Sequence, residues 1–144
     1  MTVNTNPIFS RGGDPQWSNV DGDAGSAGPL KTQNTALDGT GTLLTVYTAP
    51  ADGAWVEEIL FSSSGTNIQT VARAWLCDAA GTAIADAVKI AEQTLPATTA
   101  AANASTPTYR IPIRMPLPPS YRIRVAIGTT VAGGYFVCAN ASKY

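Results

Sequence analysis

The amino-acid sequence predicts an all-β protein, an antiparallel β-sandwich behind an extended N-terminal arm. Short runs that alternate apolar and polar residues recur along the chain, and turn-forming residues separate them about every ten residues. Long helical periodicity is missing from the same segments. The chain has 144 residues, which fits one domain. We therefore expect the arm over residues 1–40 and the sandwich over residues 41–144.

The arm is predicted from composition, since residues 1–40 are rich in Gly, Asn, Asp, Ser and Pro. A segment of this kind cannot bury enough apolar surface to fold alone. It nevertheless contains Ile8, Phe9 and Trp17. Large apolar side chains in a polar arm are candidate anchors on another subunit, because the entropy lost on ordering must be offset. The alternative is a terminus that packs on its own domain.

Four strands are predicted before residue 100, and their patterns of apolar and polar residues differ. These strands cover residues 42–48, 55–61, 68–78 and 88–94. The apolar residues of 55–61 change parity, which predicts a bulge. Both faces of 68–78 are apolar apart from Arg73, as in a central strand, so Arg73 needs a partner. Residues 84–95 also fit a helix face, and the surrounding strands favour a strand over 88–94.

The clearest alternation lies in residues 109–127, and a last strand follows over residues 135–141. Apolar residues alternate with arginine or proline over 109–115, and with arginine over 121–127. The prolines of 116–120 cannot continue a ladder, because they lack an N–H. We expect the two runs to pair as an antiparallel ribbon with its arginines on one outward face. These arginines are Arg110, Arg114, Arg122 and Arg124.

Composition argues against several functions. A net charge of −1 with 13% charged residues is too neutral for nucleic-acid binding. We find neither a signal-peptide pattern nor an apolar run long enough to span a membrane, so we expect a protein made in a cytoplasm. Cys77 and Cys138 are then expected to be reduced core residues. A disulfide between them requires neighbouring strands.

Catalytic and metal sites are not indicated. The chain has no histidine, the commonest general base, so we expect no enzyme activity and no cofactor. Glu57 and Glu58 are adjacent, which should place them on opposite faces of a strand. The acidic residues of the arm do not have the spacing of a calcium loop, so we expect solvated turn residues and no bound metal. These acidic residues are Asp14, Asp21, Asp23 and Asp38.

Several motifs occur in an order that resembles one family. NTALDGTGT at 34–42 precedes VYTAP at 46–50, and VARAWL lies at 71–76. EQTLPA at 92–97 precedes LPPSYRI at 117–123, with VCA near the end. This order resembles the small capsid decoration (auxiliary or cement) proteins of tailed bacteriophages, over about residues 34–144. In the turn before the tyrosine, proline and serine replace the family's usual small residue and glycine.

The resemblance implies a jelly-roll-like sandwich that self-associates, often as a homotrimer, and binds the major capsid protein. It implies a location on the outer capsid surface of the virion, after synthesis in the bacterial host cytoplasm. The expected contact residues are Ile8, Phe9, Trp17, Arg110, Arg114, Arg122 and Arg124. The arginines would meet carboxylates of the capsid or of a sister subunit. Equally, they could have local partners such as Glu57, Glu58 or Asp86.

An alternative function is a receptor- or carbohydrate-binding module of a tail or capsid fibre. Sugar sites combine exposed aromatic side chains with polar groups. The aromatic candidates are Trp17, Trp55, Tyr135 and Tyr144. Binding of the isolated protein to glycans, without affinity for shells, would favour this alternative.

Overall fold

The protein is a β-sandwich of two antiparallel sheets. The computed structural model describes residues 12–17, 28–78 and 87–144. Their strands are β1 (Gly12–Gly13), β2 (Gln16–Trp17), β3 (Leu44–Thr48), β4 (Ala54–Ser63), β5 (Thr70–Cys77), β6 (Ala87–Leu95), β7 (Thr108–Leu117), β8 (Arg122–Ile127) and β9 (Tyr135–Lys143). The predicted all-β sandwich is confirmed. β6 also confirms the strand expected over 88–94, whereas Ile84, at the start of that ambiguous segment, lies outside the described residues.

The strand order is that of a jelly roll. Sheet A has the order β1-β9-β4-β7, with β2 also on β9, and sheet B has the order β3-β8-β5-β6. The first half of the chain therefore pairs with the second half in reverse: β1 and β2 with β9, β3 with β8, β4 with β7, and β5 with β6. In this arrangement one long hairpin is wrapped into two sheets. Among the described strands, β5 and β6 are the one hydrogen-bonded pair that is consecutive in the chain.

The expected ribbon of β7 with β8 is wrong. β7 lies beside β4 in sheet A, whereas β8 lies between β3 and β5 in sheet B. The turn after β7 runs beside the turn after β3: the Ala49 amide donates to the Tyr121 carbonyl at 2.8 Å, and the Ser120 amide donates to the Ala49 carbonyl at 3.0 Å. The two turns carry both strands of the wrapped hairpin from one sheet to the other. Consequently the arginines of β7 and β8 lie on opposite outer faces.

Alternation within each strand fills the core as predicted. In β4, Val56, Ile59 and Phe61 are buried between the sheets, and in β8 Ile123 and Val125 are buried there too. The predicted bulge is present in β4, between residues 56 and 58. Burying these side chains removes apolar area from water, which is the main term that holds two such sheets together.

β5 is the interior strand that its two apolar faces predicted. It pairs with both β8 and β6. Ala72 and Ala74 face the core between the sheets, and Trp75 belongs to a second buried cluster. Arg73 has the partner it needed, since its Nε donates to Glu92 Oε1 at 2.8 Å.

Asn67 joins three loops at one end of the sandwich. Its main chain exchanges two hydrogen bonds with Thr98, at 3.0 and 2.8 Å. Its side-chain Oδ1 accepts from the Gly134 amide at 2.8 Å, and its Nδ2 donates to the Gly134 carbonyl at 3.1 Å. Because Asn67 is 3% exposed, this buried amide is satisfied by protein groups.

Candidate contact surface

The outer face of sheet A is set by the alternation of β9. Val137, Ala139 and Ala141 are buried in the core, so the intervening residues point outward. Two of these, Phe136 and Cys138, are apolar. Phe136 is 47% exposed. This strand therefore presents apolar side chains on both faces, which a strand with one solvated face does not need.

A row of four side chains crosses this face, and we call it the cross-strand row. Trp17 in β2 pairs with Cys138 in β9, Cys138 pairs with Leu60 in β4, and Leu60 pairs with Arg110 in β7. Directly opposed residues of an antiparallel sheet point to the same side. The row thus runs from an indole that is 67% exposed, through two half-buried apolar side chains, to a guanidinium.

The bulge in β4 turns two carboxylates to this same outer face. Glu58 lies 2.5 Å from Arg110 Nη1, and Glu57 lies 3.3 Å from Arg114 Nε. Glu57 also accepts from Trp55 Nε1 at 3.0 Å. The expectation that adjacent glutamates occupy opposite faces is wrong here, because the register shifts between residues 56 and 58.

Local partners therefore account for the arginines of β7. The side chains of Arg110 and Arg114 are nevertheless 66% and 72% exposed. Exposed ion pairs of this kind contribute little to folding, about 0–1 kcal/mol. Their guanidinium groups stay at the surface, where they can contact a second molecule. Asp86, the other local partner considered, lies outside the described residues.

The apolar part of the outer face of sheet B is covered by the chain itself. Trp75 is 0% exposed there and forms a buried cluster with Cys77 and Ala126. Residues 34–43, which we call the roof, lie over this cluster, and Leu43 and Ala87 pack against it. The Asn34 amide organises the roof by donating to the carbonyls of Thr40 at 2.8 Å and Thr42 at 3.0 Å.

The predicted contact residues fall into separate places. Trp17, Arg110 and Arg114 share the outer face of sheet A. Arg122 and Arg124 belong to sheet B, where they pair with Cys77 and Trp75, so the expected single arginine face is wrong. Ile8 and Phe9 lie outside the described residues.

The described part of the predicted arm packs on its own domain. Residues 12–17 pair with β9, and the Leu30 amide donates to the Tyr135 carbonyl at 2.8 Å. Gln16 also bridges the two sheets, because its side-chain amide exchanges two 3.0 Å hydrogen bonds with the main chain of Thr48. The described residues of the arm therefore follow the second alternative, in which the terminus packs on its own domain. Contact of the arm with another subunit stays a prediction.

Sequence reasoning missed Leu60, Phe136 and Cys138 as members of this surface. A signal was available, because YFVCANA places apolar residues on both parities of β9. Cys138 is half-buried on the outer face, so the expectation that both cysteines are core residues is wrong for Cys138. Cys77 is buried, and neither cysteine is in a disulfide. Their strands lie in different sheets, which explains why they do not pair.

The aromatic candidates for sugar binding also separate. Tyr135 is 0% exposed and lies in the core, so it cannot stack on a sugar. Trp55 is half-buried and bonded to Glu57. Tyr144 is half-buried as well, at the end of the chain. Trp17 is the candidate that presents most of its side chain to solvent.

Two acidic residues of the predicted arm, Asp14 and Asp38, form hydrogen bonds within the chain. Asp14 accepts from Tyr47 Oη at 2.8 Å, and hydrogen bonds from Thr40 hold the pKa of Asp38 below its usual range. Asp21 and Asp23 lie outside the described residues. A groove of about 630 Å³ at the loop end is lined by threonine, asparagine and aliphatic residues. Residues 12–17, 28–78 and 87–144 include no group of three or more potential metal ligands.

Comparisons with known proteins add no identification. No family model, no curated protein and no solved structure matches the chain. The described residues also include no helix that is long and apolar enough to cross a membrane.

Proposed function

We propose that the protein is a structural virion protein of a tailed phage, a non-catalytic decoration protein that binds and stabilises the assembled capsid from outside. The observation that carries the proposal is the open face of sheet A. It exposes Trp17 and Phe136 beside Arg110 and Arg114, whereas the apolar cluster on the outer face of sheet B lies beneath the roof. Exposed apolar patches with charged neighbours are typical of contacts between proteins. The motif resemblance directs the proposal to the capsid.

Stabilisation of the shell follows from linkage. A protein that binds the assembled shell, and not its separated subunits, adds its binding free energy to the assembled state. Many copies on a repeating lattice make a modest affinity per site sufficient. In this proposal the major capsid protein and sister subunits are the partners, and the open face of sheet A makes one of these contacts.

Cosedimentation with shells of the phage that encodes the protein tests the proposal. We expect the protein to pellet with shells and to raise the temperature at which the shells fall apart. Trp17→Ser combined with Phe136→Ser should reduce binding at least tenfold, because the open face loses two aromatic anchors, whether it contacts the capsid directly or holds a sister subunit that adds avidity. Val88→Ser is the matched control, since Val88 is 64% exposed but lies in sheet B. A wild-type protein that stays in the supernatant at every concentration would refute the proposal.

Glycan binding is a second candidate, favoured by Trp17 and Asn140. Trp17 is 67% exposed, and Asn140 is exposed on the same face, two residues along β9 from the partner of Trp17. An indole beside an amide is a usual sugar-binding combination. A glycan array with wild type and Trp17→Ala tests it: glycan binding that the substitution abolishes, together with no binding to shells, selects this candidate.

A further inference from the structure

The cross-strand row is chemically complementary to the same row of a second copy that runs in the opposite direction. It begins with the indole of Trp17 and ends with the guanidinium of Arg110, and between them lie Cys138 and Leu60. Arginine over the face of an indole is the most favourable cation–π pairing of protein side chains. A second copy that presents the same row in the opposite order would set each end against its complement.

We propose that the outer face of sheet A packs against the same face of a second copy, related by a two-fold axis parallel to the strands. This inference deepens the proposed function only in assigning the open face to a sister subunit. The axis passes between β9 and β4, above the middle of the row. Trp17 then faces the partner's Arg110, and Cys138 faces the partner's Leu60. The row spans three strand spacings, about 14 Å.

The neighbouring residues fit the same arrangement. Asn140 pairs with Glu58 within the sheet, so the axis brings Asn140 opposite the partner's Glu58. An amide N–H then meets a carboxylate oxygen, and each such pair occurs twice. Phe136 pairs with Ser62 within the sheet, so the exposed ring faces the partner's Ser62 hydroxyl and the apolar surface around it. No like charges are placed directly opposite each other in these rows.

The size of the face is suitable for a dimer. Nine residues each of β4, β7 and β9, together with residues 12–17, cover about 520 Å² of flat area at about 3.3 Å per residue and about 4.8 Å between strands. A specific interface buries about 800 Å² on each partner, and corrugated side chains bury more than their flat projection. A two-fold interface buries the same face on both copies, so no further copy can add through this face and the assembly is a dimer. The inference therefore predicts a dimer rather than the trimer that the family resemblance implies.

Sedimentation equilibrium on the purified chain tests the mass. We expect a concentration-dependent equilibrium between the 14.9 kDa chain and its dimer. Trp17→Ala and Arg110→Ala should each weaken dimerisation about tenfold, because each substitution removes two cation–π pairs. Leu37→Ala is the control, since Leu37 is 62% exposed on the roof, and it should leave the dimer unchanged. A monomer at all concentrations, a trimer, or a dimer indifferent to both substitutions overturns the inference.

Crosslinking tests the reversed order of the row. Trp17→Cys and Arg110→Cys are prepared separately, each with Cys138→Ser, and treated with a short bismaleimide. In the mixture, positions 17 and 110 of different chains face each other across stacked sheets about 10 Å apart. The mixed dimer also keeps one intact pair of Trp17 with Arg110. We expect crosslinked dimer in the mixture and little in either variant alone, where the thiols are also about 14 Å apart sideways.

Equal crosslinking in the mixed and unmixed samples would overturn the two-fold arrangement. Cys77 does not interfere, because it is 2% exposed. Failure of the inference and of the proposed function are distinguishable. A dimer that does not bind shells refutes the function and keeps the inference, whereas a monomer that binds shells does the reverse.

Discussion

The two outer faces of the sandwich differ in how far their tryptophan side chains are exposed. In sheet B, Trp75 is 0% exposed beneath the roof of residues 34–43. In sheet A, Trp17 is 67% exposed, and no described segment covers it. Both side chains project from an outer sheet face, so their difference arises from what lies above them. Within residues 12–17, 28–78 and 87–144, the apolar cluster on sheet B is covered by residues 34–43, whereas no segment covers Trp17 and Phe136 on sheet A.

This difference shows that the chain can cover an apolar outer face when folding requires it. Ordering the roof costs backbone entropy, about 1–2 kcal/mol for each residue fixed. The cost is offset by burial of a whole indole and by the hydrogen bonds of Asn34. Within the described residues, no segment of the chain covers Trp17 and Phe136 in this way. An apolar face left open in this way is more consistent with a contact surface than with a solvated one.

The largest expected effect separates the two tryptophans by stability. Trp75→Ala should lower the free energy of unfolding by about 3–5 kcal/mol, because a fully buried indole leaves a cavity. Trp17→Ala should change the stability of the monomer by less than about 0.5 kcal/mol. Urea unfolding followed by circular dichroism measures both. Since the Trp75 indole N–H has no hydrogen-bond partner among the described residues, Trp75→Phe should cost less than Trp75→Ala. Equal losses at Trp75 and Trp17 would contradict the distinction.

A glycine in the roof gives the next largest effect. Gly39 has φ +86°, and a Cβ there would lie 3.0 Å from Ala87 Cβ and 3.3 Å from Trp75 Cδ1. Gly39→Ala should therefore destabilise the protein by about 1–3 kcal/mol, through strain and crowding together. Gly13→Ala is the matched control on sheet A, since its Cβ meets nothing within 4 Å. Thermal unfolding compares the two; a loss at Gly13 as large as at Gly39 would show that the roof is not tightly packed.

The facing of side chains was predictable because alternation is a local property. The pattern of residues 109–127 correctly placed Ile111 and Ile123 inside and Arg110 outside. The parity change in residues 55–61 correctly indicated the bulge. In both cases the signal depends only on neighbours in the chain, which is why the strands and their buried faces were accessible to sequence reasoning.

The pairing of strands was not predictable in the same way. Proximity in sequence favoured β7 with β8, whereas the jelly roll pairs β7 with β4 and β8 with β3. Such partners are distant in the chain, and no local pattern encodes their register. The error carried over to the contact surface, because it joined the arginines of two sheets into one face. The cross-strand row combines residues from four strands, so it became visible only when the registers were known.

An ion pair beside the roof gives a smaller, pH-dependent effect. Hydrogen bonds from Arg73 and then Lys89 hold the pKa of Glu92 below its ordinary value. A lowered folded pKa means that the stabilisation is present above the ordinary glutamate pKa and is lost as the pH falls through the folded value. Glu92 is largely exposed, so we expect Glu92→Gln to cost less than about 1 kcal/mol at pH 7. The difference between wild type and variant should vanish in acid and shrink in high salt. A difference that persists in acid would contradict this assignment.

The two cysteines probe the two faces without changing stability. Cys77 lies under the roof and Cys138 lies in the cross-strand row, so a thiol reagent should modify Cys138 in the native protein and Cys77 only on unfolding. Burial raises the pKa of the Cys138 thiol, so its labelling should keep accelerating at alkaline pH beyond the range of an ordinary thiol. If sheet A packs on a second copy, labelling of Cys138 slows as the protein concentration rises, and Trp17→Ala removes that dependence. If Cys138 is labelled at a rate independent of protein concentration, the outer face of sheet A does not pack on a second copy. Fast labelling of Cys77 in the native protein would mean that the roof does not cover the cluster on sheet B.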